Sequence, residues 1–321
     1  MTAAAQHPLG AYGLDMLARG AARLRGGRLA VAEHGEGAGD APLIYRDLDA
    51  LSAAFAARAR ECGLGTGDVA LIVGANRISV IVAVLGALAA GVEPVLVPAH
   101  ADAPALSFLA RSTGAAALFA LLDYDEADWE SALFEAAASA PDVRVVGALA
   151  GEAGDTIDFS LAALQGRDTT APPAHATAPG LIGFATLSPT LPPRVDRFQQ
   201  SALVAEGLDL VAQLALSSET PILATLSPAS RAGLVAGPIA ALLSGAPLHL
   251  VGPFAGADFL AAVDALDGFC LVAPAPALAD FAAAGALARA ASLAVRGPVS
   301  SVDLAGEADF AGKIARLDAQ A

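Results

Sequence analysis

The chain has 321 residues, 55% of them hydrophobic and 16% charged, and its mean hydropathy of +0.58 excludes a disordered protein. Its 33 acidic and 18 basic residues give a formal net charge of −15. The negative electrostatic field of such a chain repels phosphate backbones and anionic lipid surfaces, so we expect no nucleic-acid partner. The N-terminus lacks the basic and apolar regions of a secretory signal, and we expect a cytoplasmic protein without a membrane span.

Short apolar runs alternate with segments of helical periodicity along nearly the whole chain. Predicted strands are Leu29–Glu33, Leu43–Tyr45, Val69–Val73, Val95–Val97, Ala115–Ala120, Val143–Val146, Leu181–Thr186, Ile222–Leu226, Leu248–Val251, Phe269–Val272 and Leu293–Val295. Predicted helices are Arg46–Cys62, Ser79–Ala90 with Asn76 as its cap, Ala103–Arg111, Ser131–Ala140, Gln199–Leu216, Ala232–Leu243, Phe259–Leu266, Ala277–Ala284 and Glu307–Leu317. Such repeated β-α-β units predict parallel sheets covered by helices.

A segment rich in Pro, Thr and Ala interrupts this alternation and predicts a surface linker over residues 166–179. We therefore divide the chain into a first α/β subdomain, 1–165, and a second, 180–321. The uncharged stretch Ala232–Ala257 ends just short of Asp258 and is long enough to span a bilayer. Its prolines instead favour a buried helix, a turn and a buried strand.

No motif predicts a metal site or a catalytic residue. The five histidines, His7, His34, His100, His175 and His249, are scattered without ligand spacing. The two cysteines, Cys62 and Cys270, are far apart and predict buried thiols. The glycines at 63, 65 and 67 follow a helix and precede a strand, which is the reverse of the dinucleotide-binding order.

Several segments resemble, in register, the adenylate-forming superfamily of acyl-CoA synthetases, peptide-synthetase adenylation domains and luciferases. They are Leu43–Leu48 (LTYxEL in the family), Gly63–Leu71 (GxxxGDxVA), Asn76, Leu85–Pro98 (AxxxAGxxxVP) and, more weakly, Leu226–Gly245 and Phe254–Phe281. The close match covers residues 40–120, and the weaker one extends to about residue 298. The resemblance implies an α/β fold of two stacked parallel-sheet subdomains, as in the N-terminal domain of acyl-CoA synthetases.

The segment Thr186–Val195, TLSPTLPPRV, falls at the family's phosphate loop, TSGTTGxPKG. Such a loop closes its backbone amides on an anion, which requires the φ freedom of glycine. Here Ser188 and Leu191 replace two glycines, Arg194 replaces the lysine, and two added prolines carry no N–H. This predicts a surface loop that does not hold a triphosphate. The family's cofactor-binding positions here are Thr186, Ser188, Thr190 and Arg194.

Other family features have no counterpart in this sequence. Ser227–Arg231 carries no histidine where the family has PxxH, and the YGxTE motif and the C-terminal domain with its catalytic lysine are absent before Ala321. We do not assign that role to Lys313, the only lysine of the chain.

A ligand pocket is expected between the two halves, at the carboxyl ends of the strands. The polar side chains nearest that edge are Ser188, Thr190, Arg194, Ser230 and Arg231. The two arginines there are suited to hold a carboxylate or a phosphate, and Ser230 and Arg231 are the predicted ligand-binding residues.

Three interpretations follow from the resemblance. The first is a degenerate domain without adenylation activity or cofactor, which acts as a binding or scaffolding protein for a protein partner or an acyl or carboxylate ligand. The second is a divergent or split ATP-dependent acid–CoA ligase that uses ATP and Mg²⁺ and takes its C-terminal domain from another chain. The third is a truncated gene product, which would expose the apolar surface that its missing domain covers.

Overall fold

The computed structural model describes residues 13–35, 40–125, 127–167, 180–297, 310 and 312–317. Its strands are β1 (Leu29–His34), β2 (Leu43–Ile44), β3 (Val69–Gly74), β4 (Glu93–Pro98), β5 (Ala115–Leu121), β6 (Val145–Ala150), β7 (Ile157–Asp158), β8 (Leu181–Thr186), β9 (Arg194–Gln199), β10 (Ile222–Ala224), β11 (Leu248–Val251), β12 (Phe269–Pro274), β13 (Ala290–Arg296) and β14 (Lys313–Leu317). Its α-helices are α1 (Leu14–Arg25), α2 (Tyr45–Glu61), α3 (Ile78–Ala90), α4 (Ala103–Thr113), α5 (Trp129–Ser139), α6 (Leu161–Leu164), α7 (Gln200–Leu214), α8 (Arg231–Leu234), α9 (Ala240–Ser244), α10 (Gly256–Ala265) and α11 (Leu278–Ala283).

The strands form two seven-stranded sheets with the orders β14-β13-β12-β10-β11-β1-β2 and β7-β6-β5-β3-β4-β8-β9. We call them sheet A and sheet B. The predicted parallel pairing is confirmed except at one edge of each sheet, where β2 and β9 run antiparallel to their neighbours. Each sheet takes strands from both sides of the predicted linker, so a division into 1–165 and 180–321 does not separate the two sheets. Residues 168–179 of that linker lie outside the described residues.

The main hydrophobic core lies between the two sheets. Helix α3 contacts strands of both sheets, and all 13 of its residues are buried, as expected of a helix that is apolar on every face. Its Gly86 faces α2 so closely that an added Cβ would lie 2.6 Å from the ring of Phe55. The hydroxyl of Tyr45, at the start of α2, lies 3.1 Å from the carbonyl oxygens of both Ala241 and Ala246 and ties α2 to the end of α9.

Two smaller cores cover the outer faces of the sheets. Helices α4 and α5 cover sheet B, while α10 and α11 cover sheet A. Alternate residues of one strand therefore serve different cores. Leu223 of β10 belongs to the outer core, and Ile222 and Ala224 belong to the inner one.

The stretch Ala232–Ala257 is confirmed as a buried helix followed by a buried strand. The helix runs from α8 through a π-helical segment, Val235–Ile239, into α9. Pro238 lies inside that segment and has no N–H to continue the α-helical ladder, which explains the local widening. Among the described residues, no helix combines the length and the apolar character needed to cross a bilayer.

The predicted helix Glu307–Leu317 is wrong over its described part, because Lys313–Leu317 is strand β14. Only Ala315 of that strand is buried, and the strand pairs in parallel with the edge of β13. A five-residue segment carries too little periodicity to distinguish the two states, so pairing decides. Helix α1 and strand β9 were not predicted either.

Candidate ligand cleft

A cavity of about 450 Å³ opens where the carboxyl ends of both sheets meet. Sheet B contributes the ends of β3 and β4 and the loop after β5, while sheet A contributes the segments after β10 and β11 and the end of β13. We call this cavity the cleft. Its polar and charged lining residues are Asn76, His100, Tyr124, Asp125, Thr225, Ser227, Ser230 and Arg296. Ligands of open parallel sheets bind at this edge, as the sequence predicts.

Close backbone approach brings the two sheet edges together below the cleft. A Cβ added at Gly74 would lie 2.7 Å from the Cβ of Ala229, and one added at Gly252 would lie 2.8 Å from the Cβ of Asn76. Larger residues would push the edges apart. The two glycines therefore fix the depth of the cleft.

Asn76 does not cap α3 as predicted, because the cap residue is Arg77. Its side-chain amide instead donates to the carbonyl oxygens of Ala224, at 3.3 Å, and Val251, at 2.9 Å. Asn76 follows β3 of sheet B, and both acceptors lie in sheet A, so one side chain joins the two sheets. Its Oδ1 is buried without a hydrogen-bond partner among the described residues.

A buried ion pair forms a second bridge between the sheets. The Arg77 guanidinium lies 3.2 Å from the Glu33 carboxylate of sheet A and 3.5 Å from Asp123, which follows β5 of sheet B. Glu33 also accepts the N–H of Ile78 at the start of α3. Burial raises the pKa of Glu33, while that N–H and Arg77 act to lower it. The network orders the turn that carries Asn76 into the floor of the cleft.

The predicted phosphate loop joins β8 to β9 as a hairpin in which Thr186 pairs with Arg194. The Ser188 hydroxyl accepts the backbone N–H groups of Thr190 and Leu191, both at 3.3 Å. Leu191 is 67% exposed. The loop therefore directs two of its amides at its own serine. Among the described residues, none of Thr186, Ser188, Thr190 and Arg194 lines the cleft.

The two arginines proposed as an anion clamp each have a carboxylate partner of their own. Arg194 is exposed and lies 3.4 Å from Asp196 on the same strand. The Arg231 guanidinium bonds both oxygens of Glu206 and lies 4.5 Å from the centre of the Phe198 ring. Arg231 lines a separate cavity of about 280 Å³ beside α7. A shared anion site for the pair stays a prediction.

Ser230 is the one predicted binding residue that lines the cleft among those described. Its hydroxyl accepts the N–H of Gly233 at 3.1 Å and donates to the carbonyl of Ser227 at 2.9 Å. Ser230 therefore caps α8, and its hydrogen bonds fix the loop that forms one wall of the cleft.

The cleft residues that the sequence analysis did not place at the site include His100, Tyr124, Asp125 and Arg296. Each follows or ends a strand, so the rule that ligands gather at carboxyl ends would have found them. Asp125 has a φ of +59°, an uncommon backbone conformation outside glycine. Burial and the neighbouring Asp125 raise the pKa of the Tyr124 hydroxyl, although Arg77 opposes them. The cleft thus places a residue with a positive φ, Asp125, next to a phenol with a raised pKa, Tyr124.

Two histidines that are far apart in sequence meet on the outer face of sheet A. The Nε2 of His34 lies 2.8 Å from the Nδ1 of His249, and the rings stack with centroids 5.1 Å apart. Burial lowers the pKa of both, that of His249 to about 4. Among the described residues, no group of three or more metal-binding side chains occurs. His7 and His175 lie outside the described residues.

Comparison with known proteins identifies the family and the fold. A family model described as AMP-binding enzyme matches residues 18–189, which is more than half of the chain. This chain belongs to the AMP-binding enzyme family. The matched region includes β3, β4 and the loop after β5, and therefore the sheet B wall of the cleft.

Individual relatives agree with this family. The chain is 32% identical over 186 residues to the salicyl-AMP ligase / salicyl-S-ArCP synthetase of Mycobacterium tuberculosis, covering 56% of this chain and 33% of the relative. The apo structure of MbtA from Mycobacterium smegmatis superposes with a TM-score of 0.78 at 23% identity, over 92% of this chain and 54% of that one. An anthranilate CoA ligase, AuaEII, in complex with anthranoyl-AMP gives 0.81 at 14% identity, over 99% and 60%. The chain thus spans about a third of the curated relative's length.

Proposed function

We propose that this chain is an AMP-binding family domain that does not form acyl adenylates and instead binds a small ligand in its cleft. The observation that carries the proposal is the hydrogen bonding of the β8–β9 loop. The backbone N–H groups of Thr190 and Leu191 are directed at the Ser188 hydroxyl. An anion cradle needs such groups directed at the phosphate.

The remaining chemistry of the loop supports the same conclusion. Pro189, Pro192 and Pro193 have no N–H to offer, and Arg194 lies 3.4 Å from the carboxylate of Asp196. Adenylation requires the triphosphate to be held in line with the attacking carboxylate while charge develops on the transferred phosphoryl group. The residues present do not fit a triphosphate, so we derive no step through ATP or Mg²⁺.

The cleft itself is retained and has the size of a small-molecule site, since such sites span roughly 300–1,000 Å³. The named relatives act on salicyl and anthranoyl groups, which are small aryl acids. We propose the same class of molecule for this cleft, bound as the free acid. The liganded domain would then serve as a binding or scaffolding component for a protein partner.

Titration calorimetry of the purified chain with Mg-ATP, together with a thermal-shift scan, tests the proposal. We expect neither heat nor a rise in Tm with millimolar nucleotide, because a ligand that binds only the folded state must stabilise it. Micromolar binding of ATP would contradict the proposal. If heat is seen, Thr190→Ala reports whether the loop is responsible, and Arg289→Ala, on the exposed Asp264 pair, is the matched control.

A second candidate is a divergent or split ligase that is completed by another chain. It is favoured by the retained threonines, Thr186 and Thr190. Exchange of labelled pyrophosphate into ATP in the presence of an aryl acid would support it. Absence of exchange in the isolated chain, without ATP binding, supports the first proposal.

A further inference from the structure

The cleft contains one arginine that belongs neither to the β8–β9 loop nor to the predicted anion-binding pair, Arg194 and Arg231. Arg296 is the last residue of β13, lines the cleft and is partly buried. Among the described residues, no carboxylate and no hydrogen-bond acceptor pairs with its guanidinium. In contrast, Arg77, Arg194 and Arg231 all have carboxylate partners.

The Arg296 guanidinium is partly exposed at the cleft surface, where water reaches it and a ligand can replace that water. Its five N–H donors can then bond the ligand directly. The planar fork matches a carboxylate through two parallel hydrogen bonds, which are stronger than bonds between neutral groups. The charge and shape of Arg296 therefore favour an anionic oxygen pair within the cleft.

The lining of the cleft also includes apolar and aromatic side chains. Phe254 lines it and is 55% exposed, although Phe259 and Phe281 support its ring from behind at centroid distances of 5.7 and 5.8 Å. Arg296 ends β13 and Phe254 follows β11, and these strands are three strand spacings apart in sheet A, roughly 14 Å. The cleft therefore offers a cation and an aromatic ring at the ends of two different strands.

The charge of the cleft also limits the ligand. Asp125 lines the same cavity and adds a negative charge, and the whole chain carries −15. Both oppose a polyanion such as a nucleotide triphosphate, whereas a single carboxylate is balanced by Arg296. A compact aromatic monoanion would pair with Arg296, pack its ring against Phe254 and carry less negative charge into the cleft than a nucleotide.

We propose that Arg296 anchors the carboxylate of a small aryl acid in the cleft, with the aromatic ring against Phe254, as a non-covalent complex that forms without ATP. This inference rests on the proposed function for the identity of the site. It assigns ligand selection to the end of β13, whereas the sequence placed the anion-binding groups at Arg194 and Arg231.

Titration of the full chain with benzoate, in the absence of nucleotide, tests the anchor. We expect saturable binding that weakens with added salt, and at least tenfold weaker binding of benzamide, which has the same ring without the charge. Arg296→Gln is expected to lower benzoate affinity at least tenfold and to leave benzamide unchanged. Arg296→Lys keeps the charge but loses the fork, and an intermediate affinity is expected.

Arg289→Ala is the matched control, because Arg289 immediately precedes β13 at its other end and pairs with Asp264. It should bind benzoate like the unmodified chain, and a Tm within a few degrees confirms that each variant is folded. Three results would each overturn the inference. The first is equal benzoate affinity in Arg296→Gln and the unmodified chain, and the second is equal affinity for benzoate and benzamide. The third is no benzoate binding at about 10 mM, a concentration that fills even a weak site. ATP binding with Arg296-dependent benzoate binding would overturn only the proposed function.

Discussion

Replacing Glu33 by alanine removes one half of the buried bridge between the sheets. The side chains of Glu33 and Arg77 are 1% and 4% exposed, and their ion pair spans 3.2 Å. The substitution leaves a buried guanidinium that keeps a carboxylate, that of Asp123, which is 43% exposed and 3.5 Å away. Breaking a buried pair on one side costs about 3–5 kcal/mol, and the retained Asp123 places the expected loss near 3 kcal/mol.

Urea denaturation followed by circular dichroism measures that loss as a change in midpoint at constant slope. The matched control is Glu219→Ala, because Glu219 forms a 2.7 Å pair with Arg28 in which the side chains are 77% and 46% exposed. Exposed pairs contribute at most about 1 kcal/mol. If Glu33→Ala lost under about 1 kcal/mol, or no more than Glu219→Ala, burial would not explain the strength of the bridge.

Three further experiments, two of them with a control variant, test the packing and titration of the fold. Burial lowers the pKa of His249 to about 4, so between pH 6.5 and 4 the unfolded chain binds a proton that the folded chain does not. The free energy of unfolding should therefore fall by about 3 kcal/mol as the pH drops through that window. His249→Gln should reduce this slope and leave the part that His34 contributes, because burial lowers the pKa of His34 as well. His100→Gln, outside this pair, is the control. Tyr45→Phe removes the hydroxyl that two buried carbonyls accept from, and should lower the free energy of unfolding in urea by about 1–2 kcal/mol. An unchanged free energy of unfolding would show that these carbonyls find other donors. Gly86→Ala forces a methyl against a phenylalanine of α2 and should lower the Tm, whereas Gly20→Ala, which meets nothing within 4 Å, should raise it slightly; the reverse order would refute the contact.

The cleft and the β8–β9 loop are structurally distinct, because the described residues that line the cleft include none from that loop. The cleft depends on Gly74, Gly252 and Asn76, which hold the two sheet edges together. The proposed function assigns triphosphate binding to the β8–β9 loop, which contains none of these three residues. If that proposal holds, ligand binding in the cleft persists without nucleotide binding.

The sequence by itself determined most of the local structure and the family. Strands such as Val69–Gly74 are continuous apolar runs between turn signals, and helices such as Tyr45–Glu61 repeat apolar residues at helical spacing. Both signals arise from near neighbours in the chain, so they can be read without the fold. The departures of Thr186–Val195 from the resembled phosphate-loop pattern could also be read this way, because residue identity is a property of single positions.

Only the tertiary structure decided which side chains meet. His34 and His249 are 215 residues apart, and Asn76 reaches carbonyls 148 and 175 residues away. Three arginines stood near strand ends, yet Arg194 and Arg231 pair with carboxylates, while Arg296 lies in the cleft. These outcomes follow from the order in which distant strands pair. No local pattern encodes that order, because it is set by burial of both faces of each sheet at once.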